Sequence, residues 1–321
     1  MTCDERRQPA AMMLPLETHH VQTVRYAAQA QLPLPARKRL WQAIARAKIR
    51  AQARLLEERT GKDWGLSMMV DRVRSGDPEN LEAQAARIYW PRLLGESFRR
   101  LPRSDRGSKR AHAVILSEAK NPGISESNKY RDPSSPPAPQ DDTRLPSRQA
   151  VGDGLNALLN YGYAVLRATV ARAICAAGLH PTFGLHHRNR YDAFCLADDL
   201  MEPFRPLVDG VVARLLNERG ESVALDRESK RALIEPLLGP DRSGRGRFSY
   251  QGECRTLFDW LARMTFSLAA VVGGEAARIE IPELVLPENA GLKPGATRGE
   301  GRAANLKAHE DAVSGTVNDD A

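Results

Sequence analysis

The chain is poor in cysteine, with four in 321 residues: Cys3, Cys175, Cys195 and Cys254. They lie far apart and form no C-x-x-C pair, which excludes a disulfide framework and a cysteine-built zinc cage. They read as small buried residues in a reducing compartment. No apolar run approaches the length that spans a bilayer, so no membrane partner is expected. The start, "MTCDERRQPAAMMLPLE", carries acids at once and has no signal-type hydrophobic region, which points to a cytoplasmic protein. Nothing repeats at a fixed period.

Basic residues are in modest excess, with 47 lysines and arginines against 40 acids and a pI near 9.4. That balance suits a polyanionic partner without demanding one. The length leaves room for one large domain or two smaller ones. Up to about Leu34 the pieces "AAMMLPL" and "HVQTVRYA" are weakly strand-like. From Pro35 a long helix is expected, with proline near its start, Gly61 near its stop, and Leu40, Trp41, Ile44, Ile49 and Leu56 as apolar positions. Arg37, Lys38, Arg39, Arg46, Lys48, Arg50 and Arg54 crowd its other positions. They read either as a solvated face or as a face that tracks phosphates.

A second helix follows "SGDP", with Asp77 placed to cap it and Pro78 suited to its first turn. In "ENLEAQAARIYWPRLL" the spacing puts Glu82, Ala86 and Tyr89 on one face. The segment from about Leu101 to Asp153 is rich in Pro, Ser, Arg and Asp and reads as a long flexible insert. A helix that is apolar nearly all round, "GLNALLNYGYAVLRATVARAICAAGLHP", then marks the centre of a helical domain. "RPLVDGVVARLL", "ESKRALIEPLL" and "CRTLFDWLARMTFSLAAVVGG" are helical by spacing. From about Pro287 the tail reads as disordered. The sum is a mainly α-helical domain behind a fragment that hints at β-structure.

One stretch concentrates chemistry. "GLHHRNRYDAFCLADDLMEPF" sets two histidines a short loop ahead of three carboxylates. Asp199 and Glu202 can form a D-x-x-E capping arrangement at a helix start, which explains both acids structurally, with a kink expected at Pro206. The same spacing can aim both carboxylates at the loop of His186 and His187. One imidazole with carboxylate oxygens is a donor set for manganese or magnesium, with positions left open for phosphate oxygens. A third ligand must then come from elsewhere in the chain.

The segments "SGDPENLEAQAARIYWPRLLGESFRR", "LNALLNYGYAVLRATVARAICAAGLHPTFGLHHRNRYDAF" and "LADDLMEPFRPLVD" closely resemble the CRISPR-associated spacer-acquisition integrase, in the form found with type II systems. The resemblance covers about residues 1 to 100 and 150 to 285. It implies a divalent-metal-dependent DNA endonuclease and integrase in which Glu82, His187 and Glu202 bind Mg2+ or Mn2+ and form the catalytic set. His187 is preferred to His186 because family members keep the second position, and Asp199 takes a supporting role. The implied substrates are a short DNA duplex with free 3′-hydroxyls (the prespacer) and the CRISPR repeat whose edge each hydroxyl attacks. The implied partners are a second copy of the chain, a small ferredoxin-like companion of the adaptation complex, and type II effector components. The basic helix face from Arg37 to Arg54 would hold the DNA backbone without reading bases.

On this basis residues 1–34 are expected to be the remnant of an N-terminal β-rich domain, with about 70 residues of the family's usual domain absent. Residues 35–100 and 154–286 form the helical catalytic domain, 101–153 the insert and 287–321 the tail. The insert, about 50 residues where relatives have a short link, is tolerable if it leaves the surface cleanly. These two departures motivate an alternative, a degenerate non-catalytic relative kept for DNA binding or complex assembly. A generic helical metal-dependent phosphohydrolase is a third possibility.

Overall fold

The computed structural model describes residues 2–3, 9–11, 21–100, 148–189, 191–220, 223–238 and 247–284. In chain order these form β1 (Thr2–Cys3), β2 (Pro9–Ala11), α1 (Gln22–Ala30), α2 (Leu34–Thr60), α3 (Leu66–Arg72), α4 (Leu81–Leu94), α5 (Arg148–Ala176) and α6 (Cys195–Met201). A 3-10 turn (Glu202–Phe204), α7 (Arg205–Arg219), α8 (Arg227–Leu238), β3 (Arg247–Tyr250), β4 (Glu253–Thr256) and α9 (Leu257–Val272) complete the series. The described parts are mainly helical, as expected. The sheets among them are two antiparallel pairs, β1–β2 and β3–β4, and no N-terminal β domain is seen there.

Four local expectations are corrected. The piece "HVQTVRYA", read as strand-like, is mostly helix, because α1 docks on the core through Gln29, whose side chain exchanges hydrogen bonds with the backbone of His180. The helix after the insert begins at Arg148, inside the segment assigned to the insert, while 101–147 and the expected tail at 287–321 lie outside the described residues. The start of "CRTLFDWLARMTFSLAAVVGG" is a strand that pairs with β3. Its helix begins only at Leu257, where Thr256 and Asp259 form a capping box. Finally, Cys195 is buried but Cys175 is half-buried and Cys254 is exposed, so the cysteines do not all lie inside.

The long helix α2 organises the core. Pro35 fits its first turn and Gly61 ends it in the left-handed region (φ 75°), donating its N–H to the Glu57 carbonyl at 2.8 Å. The row Leu40, Ile44, Lys48, Gln52 and Leu56 repeats every four residues, and all five are buried. The helix packs against α3, α4, α7 and the 3-10 turn. Burying Leu40, Ile44 and Leu56 contributes about 1.5–3 kcal/mol each. The cost of enclosing Lys48 and Gln52 in the same row has to be met by partners.

The close approach of α5 and α7 depends on Gly162. A Cβ there would lie 2.4 Å from Val208 Cγ1, inside any real contact. Pro91 does not end α4, which runs on to bury Leu94. Pro206 does not kink a helix either. It sits in the first turn of α7, where its missing N–H has no intrahelical bond to lose, and the α-helical pattern is interrupted earlier, by the 3-10 turn holding Pro203.

Candidate metal centre

Lys48 is the centre of the arrangement. Its Nζ donates a hydrogen bond to Glu82 Oε1 and lies 2.5 Å from Glu202 Oε2. Two of the three expected residues, on α4 and at the start of the 3-10 turn, therefore meet at one cation that comes from α2. Burial works against the Lys48 charge, but Glu202 and Glu82 outweigh it and raise the ammonium pKa. Burial likewise favours a neutral Glu202, yet Arg205 and Lys48 hold it down at about 2, so it is a carboxylate at any working pH.

Each carboxylate is aimed by its own local structure. Asp77 caps α4 as expected but from outside it: its two oxygens accept the N–H groups of Leu81 (2.9 Å) and Glu82 (3.0 Å). The helix thus starts at Leu81 and leaves Pro78 ahead of it. The entry turn places Asp77 (φ 49°) and Asn80 (φ 53°) in the left-handed region. That strain, about 1–2 kcal/mol per residue, is offset in part by the cap. Glu202 is gripped from the other side by Arg205, whose Nε lies 2.9 Å from Oε1.

His187 is set by Asp199, and here the capping expectation is overturned. Asp199 is not a helix cap. It lies inside α6, fully buried, because its carboxylate is the acceptor for the whole histidine loop. It receives the N–H groups of Leu185 (2.6 Å), His186 (3.0 Å) and His187 (3.2 Å), and lies 2.6 Å from the His187 Nδ1. With Nδ1 donating to a carboxylate, Nε2 is the nitrogen left with a lone pair. The bond to Asp199 raises the His187 pKa against the opposing effect of burial, and Glu202 adds to the rise. Gly184 is required in this loop, since a Cβ there would meet the His187 carbonyl at 2.2 Å.

The neighbouring His186 is placed differently. Its ring stacks on Trp41 of α2, with centroids 4.1 Å apart and planes 9° from parallel. Arg167 fastens the far side of the loop, donating to both oxygens of Asp192 at 2.6 Å and pairing with Asp198 at 2.7 Å. Burial pushes Asp198 up to about 6.

Behind Arg205 lies a second buried network. Its guanidinium rests 4.6 Å from the Tyr163 ring centroid, and that hydroxyl and the Tyr89 hydroxyl (2.8 Å) both donate to Asp209. Tyr89 shares α4 with Glu82, so the network ties the Glu82 helix to the helix that follows Glu202.

The basic face of α2 is largely engaged within the protein, contrary to the expectation of a free phosphate track. Arg37 donates to the Leu32 carbonyl, Arg46 to those of Val73 and Asp71, and Arg50 and Arg54 pair with Glu283. Lys48 is inside. Arg46 thus satisfies backbone carbonyls at the end of α3, while Arg50 and Arg54 are neutralised by a carboxylate more than 200 residues away.

The donor set suits a divalent ion: the carboxylates of Glu82 and Glu202, brought from different elements, converge on a common cation. Among the described residues no three His, Cys, Asp or Glu side chains stand together in a metal-holding group. Lys48 separates the carboxylates. It was not anticipated as part of the site, although its four-residue spacing from Ile44 and Leu40 was the available signal.

Residues 139–235, which include His187, Asp199, Glu202 and Arg205, match the family described as CRISPR associated protein Cas1. The CRISPR-associated endonuclease Cas1 of Neisseria meningitidis serogroup C is 32% identical over 288 residues, covering 89% of this chain and 76% of that protein. The chain belongs to the Cas1 family. A Cas1 endonuclease of Pyrobaculum aerophilum is 40% identical over 98 residues, 30% of this chain and 33% of its own. In three dimensions this Cas1 chain is similar to a casposase bound to integration product, with a TM-score of 0.54 and 18% identity over 87% of this chain and 76% of the other. That likeness shows a shared fold.

Proposed function

We propose that this Cas1 protein is a divalent-metal-dependent DNA endonuclease and integrase. It inserts short foreign duplexes as new spacers into a CRISPR array by attack of a DNA 3′-hydroxyl on a phosphodiester. The observation that carries this reading is the convergence of Glu82 and Glu202 on one cation, with the His187 loop anchored by the helix that leads to Glu202. Glu82, His187 and Glu202 would hold Mg2+ or Mn2+, which would supply charge neutralisation at phosphorus and polarisation of its oxygens. The nucleophile comes from DNA, so no serine or cysteine of the chain has to supply one.

The chain's own residues prepare the site. Asp199 fixes the His187 tautomer and keeps Nε2 free. Arg205 keeps Glu202 ionised while holding one of its oxygens, and Asp77 sets the first turn of the Glu82 helix. Double-stranded DNA, a second copy of the chain, a small ferredoxin-like companion and type II effector components are the partners this reading assigns. The family membership supports them.

A gel assay with branched half-site DNA and Mn2+ tests the proposal. Joined and cleaved products are expected from the wild type and not from Glu82→Ala or His187→Ala. Activity that survives both substitutions refutes the assigned site. A folded protein that binds DNA yet is inert in every metal favours the non-catalytic relative instead.

A further inference from the structure

The metal reading leaves Lys48 unexplained. A lysine buried between the two carboxylates that should hold a divalent ion is neither a ligand nor a solvent-facing DNA contact. We propose that Lys48 is a resident counter-ion that occupies the cation position between Glu82 and Glu202, and that a divalent ion binds there by displacing it. The inference rests on the metal site proposed above.

Three features support an exchange. First, two carboxylates brought together from different helices repel in a poorly solvated site, and one ammonium removes most of that repulsion. The fold can then close before any metal arrives. Second, the ammonium is shared: Nζ hydrogen-bonds Glu82 Oε1 and lies 2.5 Å from Glu202 Oε2, so neither carboxylate holds it alone. Glu202 keeps Arg205 on its other oxygen, so releasing Lys48 does not strand it. Third, lysine is a compact charge on a flexible four-carbon stem, suited to moving without the backbone, whereas Arg205 is a rigid planar fork.

The consequence is a tuned affinity. Metal binds only the fraction of molecules in which the ammonium has left, so the apparent affinity falls by that fraction. In the reverse direction the lysine preserves the site's geometry when metal is scarce. Lys48 is thus a positioning residue and not a catalytic one.

The test measures metal binding and not turnover. Mn2+ is titrated calorimetrically into the wild type, Lys48→Met, Lys48→Gln and Glu82→Gln, and each protein is melted in EDTA. The Lys48 variants are expected to bind Mn2+ roughly tenfold more tightly or better, to melt earlier in EDTA, and to gain more from added Mn2+. Independently, reductive methylation of wild-type lysines, mapped by mass spectrometry, is expected to leave Lys48 protected in EDTA and modified when Mn2+ is saturating. That arm decides the matter alone if the variants do not fold. Mn2+ binding that is unchanged or weaker in folded Lys48 variants, or Lys48 equally protected with and without bound Mn2+, overturns the exchange while leaving the metal site intact. Absence of Mn2+ binding in the wild type and in the Lys48 variants overturns the metal site and the exchange together.

Discussion

The Asp209 network offers a stability measurement that depends on no assumption about catalysis. Asp209 is buried under two tyrosine hydroxyls, and burial pushes its pKa up to about 6 from the ordinary 3.8, with Tyr163, Tyr89, Arg205 and Arg100 only partly opposing the rise. A carboxyl whose folded pKa lies above its unfolded value favours the protonated fold. Below the unfolded value both states are protonated and there is no penalty. As pH rises through the window from 3.8 to about 6, the unfolded chain ionises first and folding stability falls. The full difference corresponds to about 3 kcal/mol, reached once pH exceeds the folded value. Asp209→Asn removes the titration but keeps polar partners: its carbonyl can accept from one tyrosine and its amide can donate to the other. Urea unfolding of both proteins from about pH 4 to about pH 8 isolates the effect, because all other titrations cancel in the difference. The Asn variant should gain on the wild type by about 3 kcal/mol across that window, nearly all of it below about pH 7. A difference that is flat with pH, or one that moves the other way, refutes the assignment of a reluctantly charged buried Asp209.

Other expectations follow from the same contacts. Asp199→Ala leaves three loop amides and the His187 ring without their acceptor; a loss of about 3 kcal/mol or more is expected in chemical denaturation, with faster proteolysis in the histidine loop. Gly162→Ala should cost about 1–3 kcal/mol through overpacking against Val208, and Gly162→Ala with Val208→Ala should cost less than the sum of the two singles. Glu283→Ala frees Arg50 and Arg54; the salt dependence of duplex DNA binding should steepen by about one to two phosphate equivalents, and an unchanged slope would mean these arginines do not face the DNA.

What the sequence by itself determined was local and periodic. The helical character of most elements, the proline entry and glycine exit of α2 and the capping role of Asp77 were legible, because propensities and caps act over a few neighbouring positions; Glu82, His187 and Glu202 were named as candidates by family motifs. What only the tertiary structure decided was which charges face one another. The spacing of Lys48 hints that it is inside, but its carboxylate partners are defined only once α4 and the 3-10 turn pack on α2. Asp199 read as a cap because its acceptor role is filled by amides from a loop more than ten residues earlier. Arg46, Arg50 and Arg54 of α2 read as a free face because their partners, Val73, Asp71 and Glu283, are joined to them only by the fold. Short-range pattern sets the elements, whereas a buried charge is defined by groups distant in sequence, and the electrostatics of this site belong to the second kind.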